Sequence, residues 1–354
     1  MSKRQLVLED GTIFIGHHFG SDVIKYGEVI FNVSMTGYQE LITDPANLNQ
    51  IIVTTYPVVG NYGMNSDDSE AIEPSINGLV VKEINHLPSN FRSDESLSDY
   101  LKAYKIPGIS GIDTRELIKL LREKGTLKGA IAPMDLAAET IVNRLKNKHS
   151  QNDEVQQISI KKPYIVPGNG KRIVVINLGM KQSVLKELKT RDCHIIVVPY
   201  NCALEQIKRF NPEGVIVSNG PGNPLVLEET MTLIKQLSGQ LPILGIGLGH
   251  QLLALVNGLE VEKTKNGNYN SSYPVKNLET NISYLTNENT HYHVKRESIE
   301  GSDLKIIFEG LNDQSVQGLM NYDKNIMSVQ FNPEGSPGTN EASFVYDEFL
   351  KLIK

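Results

Sequence analysis

The second half of the chain, from Arg172, alternates short apolar runs with amphipathic runs. The apolar runs are RIVVINLG, CHIIVVPY, GVIVSNGPG and PILGIGLG, and between them lie MKQSVLKELKTR, ALEQIKRF and LEETMTLIKQL, with HQLLALVNG after the last. The apolar runs lack the polar alternation of a half-exposed strand, so they predict strands that are buried on both faces. Such strands, joined by amphipathic helices, indicate a parallel sheet with helices on both sides.

Two glycine-rich stretches follow neighbouring strands of this predicted sheet: SNGPGNP, from Ser218 to Pro224, and the corner in PILGIGLGHQLLAL. Ligands bind such sheets beyond the carboxyl ends of the strands, so we expect both stretches at one crevice. The corner has the outline of a nucleophile elbow, in which a reactive side chain sits on a strained turn between strand and helix. Its central residue is Gly247, which has no side chain. Glycine removes the strain of a positive φ, so we expect it to stabilise this corner.

The first half of the chain is predicted to be β-rich, with short runs such as QLVLEDGTIFIG, GEVIFNVSMTG and QIIVTTYPVVG. Two helices close this half: DTRELIKLLREKG, capped by Asp113 and ended at Gly125, and DLAAETIVNRLKNK. The polar stretch NKHSQNDEVQQISIKKPYIVPGNGK follows, and we place a linker at residues 151–170. The sequence therefore predicts an α/β protein with two domains, 1–150 and 171–354.

Composition and charge limit the classes of partner. The chain has 354 residues, of which 40% are hydrophobic and 21% charged, as is typical of a globular protein. Its 35 Lys and Arg against 41 Asp and Glu give a net charge of −6, so we expect neither nucleic acid nor an anionic membrane as a partner. No apolar run approaches the roughly 20 residues of a membrane helix, and we expect a cytoplasmic protein.

The order of three motifs in the second half, SNGPGNP, GIGLGHQLLAL and SVQFNPEGSPG, resembles that of a class I glutamine amidotransferase domain. The first half narrows the resemblance to the small subunit of carbamoyl phosphate synthetase, through LEDGT, MTGYQELITDP, YPVVGNYGMN, PSNFR and GIDTRELIKLLREKGTLKGAI. The resemblance covers essentially the whole chain. It implies a β-rich N-terminal domain that docks on a large subunit, followed by an amidotransferase-like α/β domain with a mainly parallel sheet flanked by helices.

The resemblance assigns the family's catalytic residues to three positions of this chain. The nucleophilic cysteine falls on Gly247, the catalytic histidine on Asn332 and the orienting glutamate on Glu334, so only the glutamate is retained. Glycine cannot attack a carbonyl, and an asparagine amide does not titrate near neutral pH and cannot act as a general base. Loss of the nucleophile costs such a unit a factor of about 10⁶ in turnover, or roughly 8 kcal/mol. We therefore expect glutamine hydrolysis to be absent.

The family's glutamine-binding residues are retained in part. Matching or compatible residues are Gly220, Gly222, Leu248, Gln251, Asn289 and Tyr292. Two further positions differ, since a family serine is Ala46 and a family glycine is His291, and the segment from Gly267 to Pro274 reads GNYNSSYP. Together with Gly247 and Asn332, these differences favour concerted divergence of the site over a single inactivating mutation.

Several other histidine, serine and cysteine side chains could in principle act as catalysts or metal ligands near this site. His250 and Ser218 follow the family pattern and are not interpreted as replacement catalysts, and neither Cys193 nor Cys202 lies in the elbow. The stretch HYH, residues 291–293, puts two imidazoles on one face of a strand. Without a cysteine we interpret them as hairpin side chains and predict no metal site. SNGPGNP lacks the Gly-Lys-Ser/Thr ending of a phosphate-binding loop.

For function, the resemblance implies one chain of a two-chain enzyme. In the family the small subunit hydrolyses glutamine and passes ammonia to a large, ATP-using subunit, whose carbamoyl phosphate enters arginine and pyrimidine synthesis. Our main hypothesis is that this chain docks on its large subunit, as a heterodimer or a higher assembly of heterodimers, and that the complex uses free ammonia. We expect no cofactor on this chain, since ATP and Mg²⁺ belong to the large subunit. Two alternatives stay open: a working glutaminase with an unrecognised nucleophile, and a sensor that binds glutamine without cleaving it.

Overall fold

The computed structural model describes residues 2–147 and 152–353. The chain divides into two compact units at the boundary between residues 151 and 152, and each unit is described by itself. Among the described residues, no helix is both long enough and apolar enough to cross a membrane.

The first unit is built around a closed β-barrel, and the predicted β-rich character of this half is confirmed. Its strands, within residues 2–147, are β1 (Lys3–Leu8), β2 (Ile13–Gly20), β3 (Lys25–Asn32), β4 (Gln50–Thr54), β5 (Val58–Val59), β6 (Gly78–Val81), β7 (Glu83–Ile84), β8 (Pro107–Ser110) and β9 (Leu127–Pro133). The barrel order is β1, β2, β8, β6, β4, β3, β9, and β5 pairs with β7 outside it. Neighbours are antiparallel except for the run β3, β4, β6 and β8, which is parallel. Fully buried aliphatic side chains from these strands fill the barrel, including Leu6, Leu8, Val29, Ile51, Val53 and Ile131.

Helices cover the barrel of the first unit. They are α1 (Tyr38–Thr43), α2 (Leu97–Ala103), α3 (Thr114–Lys124) and α4 (Ala138–Asn147). The predicted limits of α3 are confirmed: the Asp113 carboxylate accepts the N–H groups of Arg115 and Glu116 at its start, and Gly125, with a φ of 93°, follows its last residue. Leu117 and Leu121 are buried against the barrel, so the opposite face of α3 is left for charged residues.

The second unit has one mixed ten-stranded sheet. Its strands, within residues 152–353, are β10 (Tyr164–Val166), β11 (Arg172–Asn177), β12 (His194–Pro199), β13 (Gly214–Val217), β14 (Ile243–Ile246), β15 (Val261–Asn277), β16 (Ser283–Val294), β17 (Lys305–Gly310), β18 (Val316–Asn321) and β19 (Ile326–Val329). Their order is β10, β12, β11, β13, β14, β19, β18, β17, β15, β16. The run from β12 to β19 is parallel, as the apolar runs predicted, and the strands on either side of it are antiparallel.

Helices lie on both faces of this sheet, which confirms the predicted α/β architecture. They are α5 (Glu154–Ile158), α6 (Gln182–Thr190), α7 (Leu204–Arg209), α8 (Glu228–Leu237), α9 (Leu248–Val256) and α10 (Phe344–Lys351). Successive residues of β11 point to opposite cores: Ile173 and Val175 join one hydrophobic cluster, and Val174 and Ile176 join the other. Burial on both faces explains why these strands lack polar alternation.

The stretch predicted as a linker has regular structure in its described part. Residues 148–151 lie outside the described residues. Beyond them come α5 and then β10, which pairs antiparallel with β12 at the edge of the second unit's sheet. Burial of Val155 in the core of the second unit holds α5 in place. An edge strand and a five-residue helix bury few side chains, so their sequences are polar and lack the apolar pattern that would predict them.

Candidate functional site

The chain turns sharply at Gly247, between the end of β14 and the first residue of α9. Gly247 has a φ of 55° and a ψ of −108°, which confirms the predicted positive φ. Its N–H donates to the carbonyl oxygen of Val329 over 2.9 Å. The N–H of Gly249 donates to the carbonyl oxygen of Ser218 over 3.2 Å. The corner and the SNGPGNP stretch are therefore in contact, as the sheet topology predicted.

A side chain at position 247 would have one close neighbour. A Cβ built on Gly247 would lie 3.2 Å from the Cβ of Asn219, 3.6 Å from its Cα and 3.8 Å from the carbonyl oxygen of Gln330. A small side chain therefore fits after a slight movement of Asn219. The feature of this corner that favours glycine is its backbone conformation, because L-residues adopt a positive φ only at a cost.

Asn332, the predicted position of the lost histidine, lies in a chain of buried asparagines. Its side-chain oxygen accepts a hydrogen bond from Asn219 Nδ2 over 3.3 Å. Its Nδ2 donates to Asn287 Oδ1 over 3.2 Å, and its backbone N–H donates to the Asn287 carbonyl oxygen over 2.8 Å. The Asn287 side chain donates in turn to the Pro337 carbonyl oxygen. Neutral amides thus join three segments at the place where proton transfer would require a titratable group.

Glu334, the retained carboxylate, is fully buried and has a cationic and a phenolic partner. Its Oε1 lies 3.3 Å from Lys181 Nζ, and both side chains have an exposed fraction of 0%. Its Oε2 accepts a hydrogen bond from the Tyr346 hydroxyl over 3.0 Å. Lys181 Nζ also donates to the carbonyl oxygens of Gly335 and Ser336. The carboxylate therefore ties together the start of α6, the loop after Asn332 and α10.

Gln251, a predicted glutamine-binding residue on α9, uses its side-chain amide within the protein. Its Nε2 donates to Thr290 Oγ1 and to the Tyr292 carbonyl oxygen, both over 2.9 Å, and lies 3.2 Å from Gln330 Oε1. The residue is 2% exposed. Gln251 thus joins the first turn of α9 to β16, because its two N–H groups have acceptors there.

His291 and Tyr269, two positions where the resemblance implied a departure from the family, are in direct contact. The His291 ring and the Tyr269 ring meet edge to face with centroids 5.1 Å apart, and the Tyr269 hydroxyl is hydrogen bonded to His291 Nε2. Tyr269 belongs to the altered GNYNSSYP segment and is 4% exposed. A Cβ on Gly267 would lie 3.0 Å from His291 Nδ1. The histidine and the GNYNSSYP segment therefore fit each other.

The other predicted ligand-binding positions occupy the two units. In the second unit, Leu248 is buried at the start of α9, and Asn289 pairs with Tyr269 across the β15–β16 hairpin. Gly220 approaches Leu178 so closely that an added Cβ would lie 2.2 Å from its carbonyl oxygen, and Gly222 has a φ of 90°. Ala46 lies in the first unit, in the 3₁₀ turn Pro45–Asn47, where its N–H donates to the Asp44 carboxylate.

Comparison with known proteins decides the family. Residues 6–131 match the family described as carbamoyl-phosphate synthase small chain, CPSase domain, and residues 174–352 match glutamine amidotransferase class-I. A carbamoyl phosphate synthase small chain from Oceanobacillus iheyensis is 47% identical over 354 residues, which cover 100% of this chain and 97% of that one. The chain belongs to the carbamoyl phosphate synthase small chain family. The resemblance inferred from the motifs is thereby confirmed.

A second small chain and one solved structure complete the comparison. The pyrimidine-specific carbamoyl phosphate synthase small chain of Halalkalibacterium halodurans is 47% identical over 352 residues, or 99% of this chain and 97% of that one. A glutamine amidotransferase structure from Thermotoga maritima covers 52% of this chain and 85% of its own, with 17% identity and a TM-score of 0.39. The family assignment rests on the matched families and on the small chains.

Several residues of this family member's site were missed from the sequence. Lys181 lies far from Glu334 along the chain, and a lysine that is fully buried has no local sequence signal. Tyr346 is 12 residues from Glu334 but lies on a separate helix, α10. Asn287 is equally inconspicuous. Gln330 had a usable signal, because Gln330, Asn332 and Glu334 alternate at the spacing of an extended chain and so share one side. In the described parts of the chain, Asn219 Oδ1 and Gln330 Nε2 are buried without a hydrogen-bond partner.

The groups considered as replacement catalysts are all buried. His250 Nδ1 lies 2.9 Å from Ser328 Oγ, and burial lowers the pKa of His250 to about 3, which makes it a poor base near neutral pH. Ser218 Oγ donates to the Asn219 carbonyl oxygen and accepts the Leu178 N–H. Burial raises the pKa of the Cys193 and Cys202 thiols, so neither is an activated thiolate. In the described parts of the chain, no three His, Cys, Asp or Glu side chains form a group that could hold a metal ion.

We predict that replacing Gly247 by alanine destabilises the protein. The Cβ fits with little steric conflict, so the cost comes from the positive φ and amounts to about 1–3 kcal/mol. Thermal unfolding and denaturant titration of the variant and the wild type measure this cost. Gly258→Ala is the comparison variant, since its φ of 85° is also positive but no atom lies within 4 Å of an added Cβ, so it shows the backbone cost without a contact. A Gly247→Ala variant as stable as the wild type would contradict a strained corner.

We predict that the buried carboxyl group of Glu288 makes the stability of the protein depend on pH. Its carboxyl accepts hydrogen bonds from Asn268 and Gln317, His293 Nε2 lies 3.8 Å away, and Asp313 adds negative charge. Burial raises the pKa of Glu288 to about 8, so the carboxyl is protonated in the folded state at neutral pH. The unfolded chain releases this proton near pH 4.5. The contribution of the protonated Glu288 to the free energy of unfolding is therefore lost as the pH rises from about 4.5 to about 8.

The variant that tests this is Glu288→Gln, which keeps a neutral side chain of the same shape. We expect its free energy of unfolding to fall less than that of the wild type between pH 6 and 8, by up to about 1.4 kcal/mol per pH unit. Denaturant titrations at several pH values measure the difference. Parallel curves for the two proteins would contradict a protonated Glu288.

Proposed function

We propose that this chain is a carbamoyl phosphate synthase small chain that has lost glutaminase activity and serves as a docking subunit. The observation that carries the proposal is the neutral chemistry at the elbow. Gly247 has no nucleophile to offer, and Asn332 is hydrogen bonded to two other asparagines. The sharp turn of an elbow is present at residue 247. A substrate that reached it would find no side chain able to attack its carbonyl group.

The role of Glu334 supports the same proposal. In a catalytic unit, a carboxylate orients the histidine that takes and returns the proton. Here the Glu334 carboxylate contacts Lys181 and Tyr346, which lie on other elements of the second unit. Removing one partner of such a buried pair is destabilising, so a structural task is sufficient to account for the glutamate.

Docking is supported by exposed apolar side chains on the first unit. Met35, Ile72, Leu87 and Phe91 are 75%, 92%, 83% and 96% exposed. Met35 and Phe91 flank one shallow cavity, because Thr36, Asn90 and Arg92 line it. Isolated exposed apolar residues are ordinary, but side chains this large and this exposed around one cavity mark a surface that a protein covers. We assign this surface, defined by Met35 and Phe91 at the cavity, to the large chain, because the first unit is the part that matches the small-chain family.

A glutamine sensor has less support than a docking subunit. Gln251 uses its amide in hydrogen bonds to β16, and His291 with Tyr269 fills the place where the family resemblance has a glycine. The first feature reduces the number of polar groups that are available to an amino acid ligand, and the second reduces the space for it. Calorimetry with glutamine tests this alternative directly, and heat from saturable binding would support a sensor.

Glutamate release tests the loss of glutaminase. The complex of this chain with its own large chain is expected to release no glutamate from glutamine above the rate without enzyme. Gly247→Cys alone is expected to remain inactive, because Asn332 cannot act as the base. Glutamate release by the wild-type complex would contradict the proposal and would require a nucleophile outside the elbow.

Docking is tested separately by the affinity for the large chain. Phe91→Ala is expected to weaken association at least tenfold, since a large aromatic side chain at an interface is typically worth more than about 1.4 kcal/mol. Ile282→Ala is the matched control, because Ile282 is 52% exposed on the second unit, in the turn before β16. Equal affinities for wild type and Phe91→Ala would reject this surface, and no association of the wild type would reject docking itself.

A further inference from the structure

A cavity of about 490 Å³ lies on the first unit, along the exposed face of α3. Three cations line it, Arg115, Lys119 and Arg122, together with a single carboxylate, that of Glu123. The volume is within the range of sites that take small molecules, roughly 300–1,000 Å³. The cavity is separate from the elbow and from the proposed docking surface. Its excess of positive charge is opposite in sign to the net charge of the chain.

The helix itself places the three cations together. Arg115, Lys119 and Arg122 stand at positions i, i+4 and i+7, so they share one face and span about 10 Å along the axis. Like charges at this spacing repel each other and weaken a helix. The repulsion is relieved when an anion lies between the cations.

Two of the three cations have no partner carboxylate within the described residues. Arg115 and Lys119 form no ion pair with any residue of 2–147 or 152–353. The guanidinium of Arg122 lies over the Phe31 ring, 5.4 Å from its centroid, which orients the group through a cation–π contact. Two of the three cations are thus available to a ligand, and the third is held in position.

The rest of the lining suits an oxyanion carried on a small molecule. Thr114 and Thr55 line the cavity beside the cations, and a hydroxyl can donate to an oxyanion. Ile118 offers the one aliphatic surface, 9% exposed. Arginine matches the geometry of phosphate oxygens because its planar fork donates two parallel hydrogen bonds.

We propose that this cavity, lined by Arg115, Lys119 and Arg122, is a binding site for a multivalent oxyanion, a phosphate group of a small molecule. One doubly charged group neutralises two of the cations. The cavity is larger than a phosphate ion, so the remainder of the molecule lies against Ile118. The site is independent of the elbow, and it requires neither glutamine hydrolysis nor docking.

Calorimetry on the full chain tests this site, with inorganic pyrophosphate as the probe and low ionic strength to limit screening. We expect saturable binding to the wild type and at least a tenfold loss of affinity in Arg115→Gln/Lys119→Gln. Lys102→Gln/Lys146→Gln is the matched control, because it removes two exposed cations from α2 and α4 and is expected to bind as the wild type does. Glu123→Gln removes the one acid of the lining and is expected to bind several-fold more tightly.

Two results would overturn the proposal. One is the absence of pyrophosphate binding to the folded wild type at millimolar concentration. The other is equal affinity in Arg115→Gln/Lys119→Gln and in the control. If pyrophosphate fails to bind while Arg115→Gln/Lys119→Gln weakens association with the large chain, the cations serve an acidic segment of that chain instead. All three variants change exposed helix positions, so we expect folding to be retained, and their melting temperatures check this.

Discussion

The backbone corner at Gly247 is the constraint on which the site depends. The strand β14 lies between β13 and β19 in the parallel part of the sheet, so its carboxyl end faces the ends of both neighbours. Hydrogen bonds from Gly247 to Val329 and from Gly249 to Ser218 fix the corner to these neighbours. Because α9 starts there, the positions of Leu248, Gln251 and the whole crevice follow from this one turn.

Neutral amides lie around this corner. Asn219, Asn332 and Asn287 form a hydrogen-bonded chain that is almost wholly buried. The hydrogen bonds between these amides involve no charge, so the chain avoids the desolvation cost of an imidazolium or thiolate in the same place. Glu334 and Lys181 form a buried ion pair beside this chain, with Oε1 3.3 Å from Nζ. Under the function we propose, a site of this kind preserves the fold and offers no group for covalent catalysis.

Much of the second unit could be predicted from the sequence, because its signals are local. Apolar runs without alternation located the strands, and the glycine-rich corner predicted the positive φ of Gly247. Partners that are distant along the chain could not be predicted. Lys181 meets residues more than 150 positions away, and Asn219 meets Asn332 at a separation of 113. The closed barrel of the first unit was also not foreseen, since its parallel neighbours β3, β4, β6 and β8 pair across long connections.

The two units carry different parts of the proposed function: the first has exposed apolar side chains, and the second has the glycine corner at residue 247. The most direct test is carbamoyl phosphate formation by this chain in complex with its own large chain, with glutamine or ammonium as the nitrogen donor. The account predicts product with ammonium and none with glutamine. Comparable product formation with glutamine would contradict it, because a nucleophile other than residue 247 would then have to exist.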